Sequence, residues 1–367
     1  MKIKTITKLL LCAVLLFSAD TFAQLNAPQG SQQATVSQKI GISDVSITYS
    51  RPSVNDREIW GKLVPYGMNN LGFGTSTAAP WRAGANENTT ITFSHDAKVE
   101  GQPIEAGTYG LHFEVKPDNT ATLILSKDAD SWGSFFYDQS QDAMRADITT
   151  TTVTHHELLT FVFNDVQANS ATTTLAWGEK AFPITISFDV TAIVLADFRA
   201  KSKGQAGFQR QNWEQAANFA LNNGGDLNEA LGWIDSAIAG KFFSQKTFNN
   251  LQIKAQVLNK LGRDDDASEA MDEALSMATI FQVHQYGRTL ITNGKMDKAF
   301  EVFSLNVEKN KGQWPVHYGM ARAYSAKGDY KAALKHLNKA LVNAPNEASK
   351  SRVQANIDKV KKGEDIN

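Results

Sequence analysis

The 367-residue chain contains a single cysteine, Cys12, and it lies inside an apolar run near the start. Every later residue is therefore excluded from thiol catalysis, disulfide bonding and thiolate metal binding. Serine-hydrolase and zinc-protease signatures, G-x-S-x-G and H-E-x-x-H, are absent as well. Gly72-Phe73-Gly74 lacks the following Lys-Ser/Thr of a phosphate-binding loop. Nor is there an excess of one charge: 37 Lys and Arg face 38 Asp and Glu, with no block of either sign. A nucleic-acid partner or an anionic membrane surface has nothing to grip. No segment reaches the ~20 apolar residues of a transmembrane helix.

What is present begins with an address. Lys2, Lys4 and Lys8 precede the apolar run Leu9 to Phe17, and Thr21-Phe22-Ala23 places small residues at −3 and −1. Residues 1–23 are expected to be a signal peptide cleaved before Gln24. Their removal takes three lysines and one aspartate, moving the formal net charge from −1 to −3. The mature protein is expected in the periplasm or outside the cell, resting on its hydrophobic core without disulfides. Residues 24–34 are expected to be a flexible start.

Two periodicities divide the remainder. Over residues 35–190 apolar positions alternate: Val45, Ile47 and Tyr49; Tyr109, Leu111, Phe113 and Val115; Leu159, Phe161 and Phe163; Ile184, Ile186 and Phe188. Period two with threonine and aromatic enrichment predicts half-buried antiparallel strands, roughly eight of them, in a sandwich or small barrel. Glu100-Gly101, Pro117-Asp118-Asn119 and Trp177-Gly178-Glu179 are expected to be turns between them.

Beyond Ala192 the pattern becomes helical. Gly225, Gly262, Gly294 and Gly328 are each followed five residues later by alanine, at intervals of 37, 32 and 34 residues. A period near 34 predicts tetratricopeptide-type helix pairs, an all-α repeat domain. The last unit fits best, with Ala321, Tyr324, Gly328, Tyr330, Ala333, Ala340 and Pro345 at the small, aromatic, turn and stop positions. Asn218 and Asn306 stand where small residues are expected. Residues 191–207 form a linker or helix, 208–346 four repeats, and 347–367 a capping helix and tail. Asp264, Asp265 and Asp266 fall at a helix start, where carboxylates cap free N–H groups rather than hold a metal.

The polar residues concentrate in three loop-rich stretches. "SRPSVNDREIWGKLVPYG" carries Arg51, Arg57, Trp60 and Tyr66; "PWRAGANENTTITF" carries Trp81, Arg82, Asn86 and Glu87; "KDADSWGSFFYD" carries Trp132 and Tyr137. Arg82 and Glu87 flank one turn, so either they pair and brace the loop or they face a shared cleft. Arg51, Trp81, Arg82 and Glu87 are expected on one concave surface. Rings beside planar hydrogen-bonding groups suit a small polar ligand such as a sugar or peptide, although such rings also serve as lids over a sandwich core.

These same stretches, with "GTYGL" at Gly107 to Leu111, resemble a bacterial exported domain of unknown function, family 2911. The resemblance covers about Ser37 to Val190. Here "MNNLGFGTSTAAP" separates Gly67 from Trp81, where the family pattern runs almost directly from "VPYG" to "WR". The family implies a β-rich fold outside the cytoplasm and supplies no established activity or catalytic residues.

Elsewhere, His155-His156-Glu157 turns at most two ligands to one side of a strand, and no metal site or cofactor is expected. His95-Asp96 and His112 with Glu114 are acid–base candidates only if neighbouring strands unite them. The leading expectation is a non-enzymatic binding or scaffolding module, the alternative an extracytoplasmic hydrolase using the β-domain loops. First helices of the repeats carry Asn249, Gln252, Gln256, Gln282, Gln285, Arg288, His317 and Arg322. Of these, Gln252, Gln285, Arg288 and Arg322 are the candidate contacts for a protein or peptide of the cell envelope.

Overall fold

The structure is a computed structural model describing residues 28–367. The expected signal peptide, with Cys12 and the expected cleavage point, lies outside the described residues. The chain divides after Val190 into a β unit and a helical unit.

Among the described residues the β unit has ten strands. They are β1 (Gln33–Ile40), β2 (Ser43–Ser50), β3 (Thr90–Phe93), β4 (Ala97–Val99), β5 (Gln102–Ile104), β6 (Gly107–Val115), β7 (Thr120–Ser126), β8 (Asp142–Thr149), β9 (Thr151–Asn164) and β10 (Ser170–Ser187). One sheet runs β1-β2-β3-β6-β7-β8 and the other β5-β4-β10-β9, with antiparallel neighbours throughout. Val45, Ile47 and Tyr49 are buried while Ser46 and Thr48 between them stay partly exposed, as period two requires. Rings bridge the sheets: Tyr49 meets Phe161 at 4.8 Å and Phe113 meets Phe182 at 4.9 Å. This is the antiparallel sandwich the alternation implied.

Two turns form as their sequences dictate. Glu100 and Gly101 both have positive φ, 49° and 77°, giving the tight hairpin between β4 and β5. Asn119, at φ 60°, turns β6 into β7. Trp177-Gly178-Glu179 does not turn. It lies within the 18-residue β10, whose register against β9 shifts on both sides of Gly178. Gly178, at φ 58°, absorbs a bulge, which asks for the same left-handed residue as a turn. The start of the chain is also anchored over its described residues. Asn86 Nδ2 donates to the carbonyls of Gly30 and Ser31 at 2.9 and 3.3 Å, and Gln33 already belongs to β1.

The helical unit contains α1 (Val190–Lys201), α2 (Arg210–Asn223), α3 (Leu227–Ile238), α4 (Phe248–Lys260), α5 (Asp264–Met277), α6 (Ile280–Thr292), α7 (Met296–Lys309), α8 (Trp314–Ala326), α9 (Tyr330–Val342) and α10 (Glu347–Lys361). Helices α2 to α9 make four successive pairs, and Ala230, Ala267, Ala299 and Ala333 are buried at their crossings. Val353, Ile357 and Val360 of α10 cover Tyr318, Ala321, Ala333 and Leu337 of the last pair. Gly262, Gly294 and Gly328 take left-handed conformations between paired helices. In the first pair Gly224, not Gly225, has that role, because Gly225 sits against Leu195 and Ala220 where a Cβ would clash. Buried Asn306 donates from Nδ2 to the Ile280 carbonyl at 3.3 Å, tying α7 to the first turn of α6. Asp264 to Asp266 occupy the first turn of α5.

Phe303 is the tightest point of this unit. A Cβ added at Gly287 or Gly319 would approach its ring within 2.5 Å. Gly319→Ala is therefore expected to lower stability by about 1–3 kcal/mol through overpacking. Gly232→Ala, at an exposed position of α3 with open space around it, should raise stability by about 0.5–1 kcal/mol. Urea unfolding of the two variants checks both signs.

Candidate functional site

Main-chain pairing places the "PWRAGANENT" loop. Trp81 and Phe113 exchange two backbone hydrogen bonds of 2.8 Å, so this short piece lies against β6 in line with β3. Directly opposed residues share a face. Trp81 consequently joins the rings between the sheets, lying parallel to Trp177 at 6.0 Å and edge-on to Trp60 at 5.4 Å. Arg82 emerges on the opposite face, shared by His112 and Glu114 of β6.

The loop beyond Arg82 is sharply bent, with Ala83 and Asn86 at φ 53° and 58°. Gly84 packs where a Cβ would lie 2.8 Å from Thr89 Oγ1 and 3.0 Å from the Ser50 carbonyl. Arg82 Nη1 donates to the Asn86 carbonyl at 2.5 Å, its guanidinium lies over Phe135 at 4.9 Å, and Gly133 presses flat against it. Burial moves its pKa below the ordinary arginine value. Among the described residues no carboxylate lies within ion-pairing distance of it. Glu87 instead accepts from Ser50 Oγ at 3.4 Å. The loop is braced by a main-chain carbonyl, not by an Arg82–Glu87 pair.

A cleft of about 350 Å³ opens here, and its walls include Arg57, Trp81, Arg82, Asn86, Ser134 and Trp177. Ser134 Oγ and His112 Nδ1 are 3.1 Å apart, both residues being almost fully buried. Burial, and then the charge of Arg82, lowers the His112 pKa to about 4, against a weaker opposing effect of Asp128. His112 is therefore neutral at pH 7 and a weak base.

The other sequence candidates separate. Arg51 does not line the cleft: its Nε donates to the Leu159 carbonyl at 2.9 Å and its Nη2 to Thr160 Oγ1 at 2.7 Å, tying it to β9. Trp60 belongs to the ring cluster. Tyr66 packs on Gly61, and Trp132 is half exposed away from the cleft. The Tyr137 hydroxyl donates to Asp142 at 2.8 Å and accepts from Arg145 at 3.1 Å, with burial raising its pKa. Glu114 pairs with Arg145 at 3.0 Å rather than with His112, while His95 bonds Ser94 and Asp96 accepts from Ala106 N. His155 contacts Glu157 at 3.2 Å. Among the described residues no three His, Cys, Asp or Glu side chains gather as a metal set, and no helix is long and apolar enough to cross a membrane. Ser134 lies inside the "KDADSWGSFFYD" stretch and Trp177 inside an expected turn, but neither stands out there as a site residue. The signal for Ser134 is indirect: Gly110, His112 and Glu114 form a polar-or-small face on an otherwise apolar strand.

On the helical unit, Gln282 completes a capping box with Thr279 and donates to Asn249 at 3.4 Å. Arg322 is engaged by the chain itself. Its Nη1 donates to the Ile366 carbonyl at 2.9 Å and its guanidinium lies over Tyr318, while Ser325 Oγ donates to Asp365 at 2.6 Å. Gln252 and Gln256 edge a groove of about 240 Å³ with Tyr286 and Asn293. Gln285 and Arg288 are exposed.

Residues 31–186 match the family model described as a protein of unknown function, DUF2911, and residues 314–347 match the tetratricopeptide repeat model. Solved structures similar to the chain include YrrB, described as a tetratricopeptide repeat protein with an unusual peptide-binding site. There the identity is 18%, covering 45% of this chain and 84% of that one, with a TM-score of 0.28. Part of a repeat protein from Cytophaga hutchinsonii is 16% identical over 47% and 67% of the two chains, with a TM-score of 0.33. A repeat protein from Parabacteroides merdae is 18% identical over 48% and 73%, with a TM-score of 0.29. No curated protein matches the chain.

The buried His112 makes stability depend on pH. Its native pKa is depressed from 6.5 to about 4, so the unfolded chain binds the proton more readily. The stability it allows is complete above pH 6.5 and declines as pH falls toward about 4, by about 3 kcal/mol in all. His112→Gln should flatten that part of the profile, as read from urea unfolding at pH 7 and 4.5.

Proposed function

We propose that the protein is an exported, non-enzymatic binding module whose repeats hold a protein or peptide of the cell envelope. Tetratricopeptide repeats stack helix pairs into an extended binding surface, and the matched repeat with its preceding pairs supplies one. The carrying observation is that Gln252, Gln285 and Arg288, on the first helices of successive pairs, have no side-chain partner among the described residues. Amides can pair with a peptide backbone and arginine with a carboxylate. Arg322 is less suited to the same role because the segment 365–367 already engages it.

One observation favours a hydrolase as second reading: the Ser134–His112 contact has the spacing of a nucleophile and its base. The suppressed basicity of His112 weighs against it, since a general base works best with a pKa near the operating pH.

Two measurements test the proposal. N-terminal sequencing of the exported chain should begin at Gln24; retention of residues 1–23 removes the export assignment. The full chain, immobilised, should capture at least one envelope protein that a Gln252→Ala, Gln285→Ala, Arg288→Ala variant loses by about tenfold, the scale of two or three lost hydrogen bonds. Equal recovery of every partner by both would leave the repeats a structural role.

A further inference from the structure

The β-unit cleft carries an unbalanced charge. Among the described residues its two charged lining side chains, Arg57 and Arg82, are both cationic, and no acidic side chain lines it. Arg57 is exposed and pre-set: its Nε donates to the Val54 carbonyl at 3.0 Å and its Nη2 to the Ser53 carbonyl at 2.6 Å. Arg82 is held harder, between Phe135, Gly133 and the Asn86 carbonyl, yet only one of its five N–H donors has a described acceptor. A half-buried cation without a counter-ion is unfavourable unless something else supplies the negative charge. The protein could have used Glu87, five residues away, and does not.

The neighbours refine the chemistry. Trp81 is partly exposed and offers a flat apolar wall backed by Trp177. Ser134 keeps hydrogen-bonding capacity for the cleft, because its contact with His112 uses only one of its three positions. Neutral His112 adds no competing charge and takes none from the cleft. Positive φ at Ala83 and Asn86 marks a main chain held in an uncommon conformation at the rim, as happens where a loop is shaped for a ligand. The volume, about 350 Å³, suits a ligand between a monosaccharide and a disaccharide in size.

We infer that this cleft binds a small organic anion, its carboxylate or phosphate group against the Arg82 fork and its sugar-like or apolar face against Trp81. The planar guanidinium matches either oxyanion with two parallel hydrogen bonds, which a lysine would not. This site is independent of the repeat surface and stands or falls without it.

Intrinsic tryptophan fluorescence of the full chain is the direct probe, since Trp81 and Trp177 line the cleft and Trp60 packs on both. D-glucuronate and D-glucose 6-phosphate are titrated beside neutral D-glucose at low ionic strength. At least one anion should change the emission saturably and bind about tenfold more tightly than glucose, a difference within reach of one charge-assisted pair. Glucuronate alone identifies a carboxylate ligand, glucose 6-phosphate alone a phosphate. Arg82→Gln should abolish the anion response; Arg57→Gln, at an exposed position that packing does not require, should weaken it, and Arg352→Gln, exposed on the last helix, should leave it intact. The inference is overturned if neither anion responds at about 10 mM, a concentration at which even a weak charge-assisted site fills. It is equally overturned if glucose binds as well as the anions, or if both cleft variants bind like the parent. Should Arg82→Gln fail to fold, the Arg57→Gln titration decides.

Discussion

Two backbone hydrogen bonds between Trp81 and Phe113 determine what the β unit can do. They convert a polar, glycine-containing loop into a piece of sheet, and the alternation of the strand then fixes both of its large side chains. Trp81 goes inward to the rings of Trp60, Trp177 and Phe182. Arg82 goes outward beneath the segment that contains Gly133 and Phe135. A shift of one residue would turn the guanidinium in among the tryptophans and the indole to the opposite face. Packing therefore holds the arginine in place, and the energy for doing so comes from the aromatic cluster on the other side of the sheet.

Both architectures were legible because each rests on a period. Alternation from Val45 to Phe188 requires strands with one buried face, and glycine-to-alanine spacing near 34 residues requires stacked helix pairs. What the sequence left open was decided by contacts between distant residues. Trp177-Gly178-Glu179 has the composition of a turn, yet β9 lies alongside and makes it a bulge. Arg82 and Glu87 are close in sequence, but the bend between them sends one to Phe135 and the other to Ser50. Arg51, just after the end of β2, is drawn to β9 by Leu159 and Thr160, more than a hundred positions away. Local spacing carries no information about such partners.

Histidines shielded from solvent, His112 fully and His284 in part, recur beside arginines in both units. His112 lies under the influence of Arg82, and His284, stacked on Tyr318 at 5.9 Å, under that of Arg322 and Arg288. Each has a pKa lowered to about 4, first by burial and then by the neighbouring cations. A neutral imidazole fills space and forms hydrogen bonds without cancelling the arginine charge, which a carboxylate would do. At His112 the arrangement leaves the cationic character of Arg82 available to whatever approaches, at the cost of a fold that weakens in mild acid.

The same reasoning separates binding from catalysis in the cleft. Ser134 and His112 have the contact distance of a hydrolytic pair, but hydrolysis needs a base that can accept the serine proton at the working pH. Moving Arg82 away would raise the basicity of His112, yet it would also remove the positive charge best placed to stabilise an oxyanion. Burial would still depress the imidazole. The cleft is thus electrostatically committed: strengthening its arginine as an anion receptor weakens its histidine as a base. With no carboxylate paired to Arg82 among the described residues, and Phe135 and Gly133 shaped around it, the side chains here favour holding an anion over transforming one.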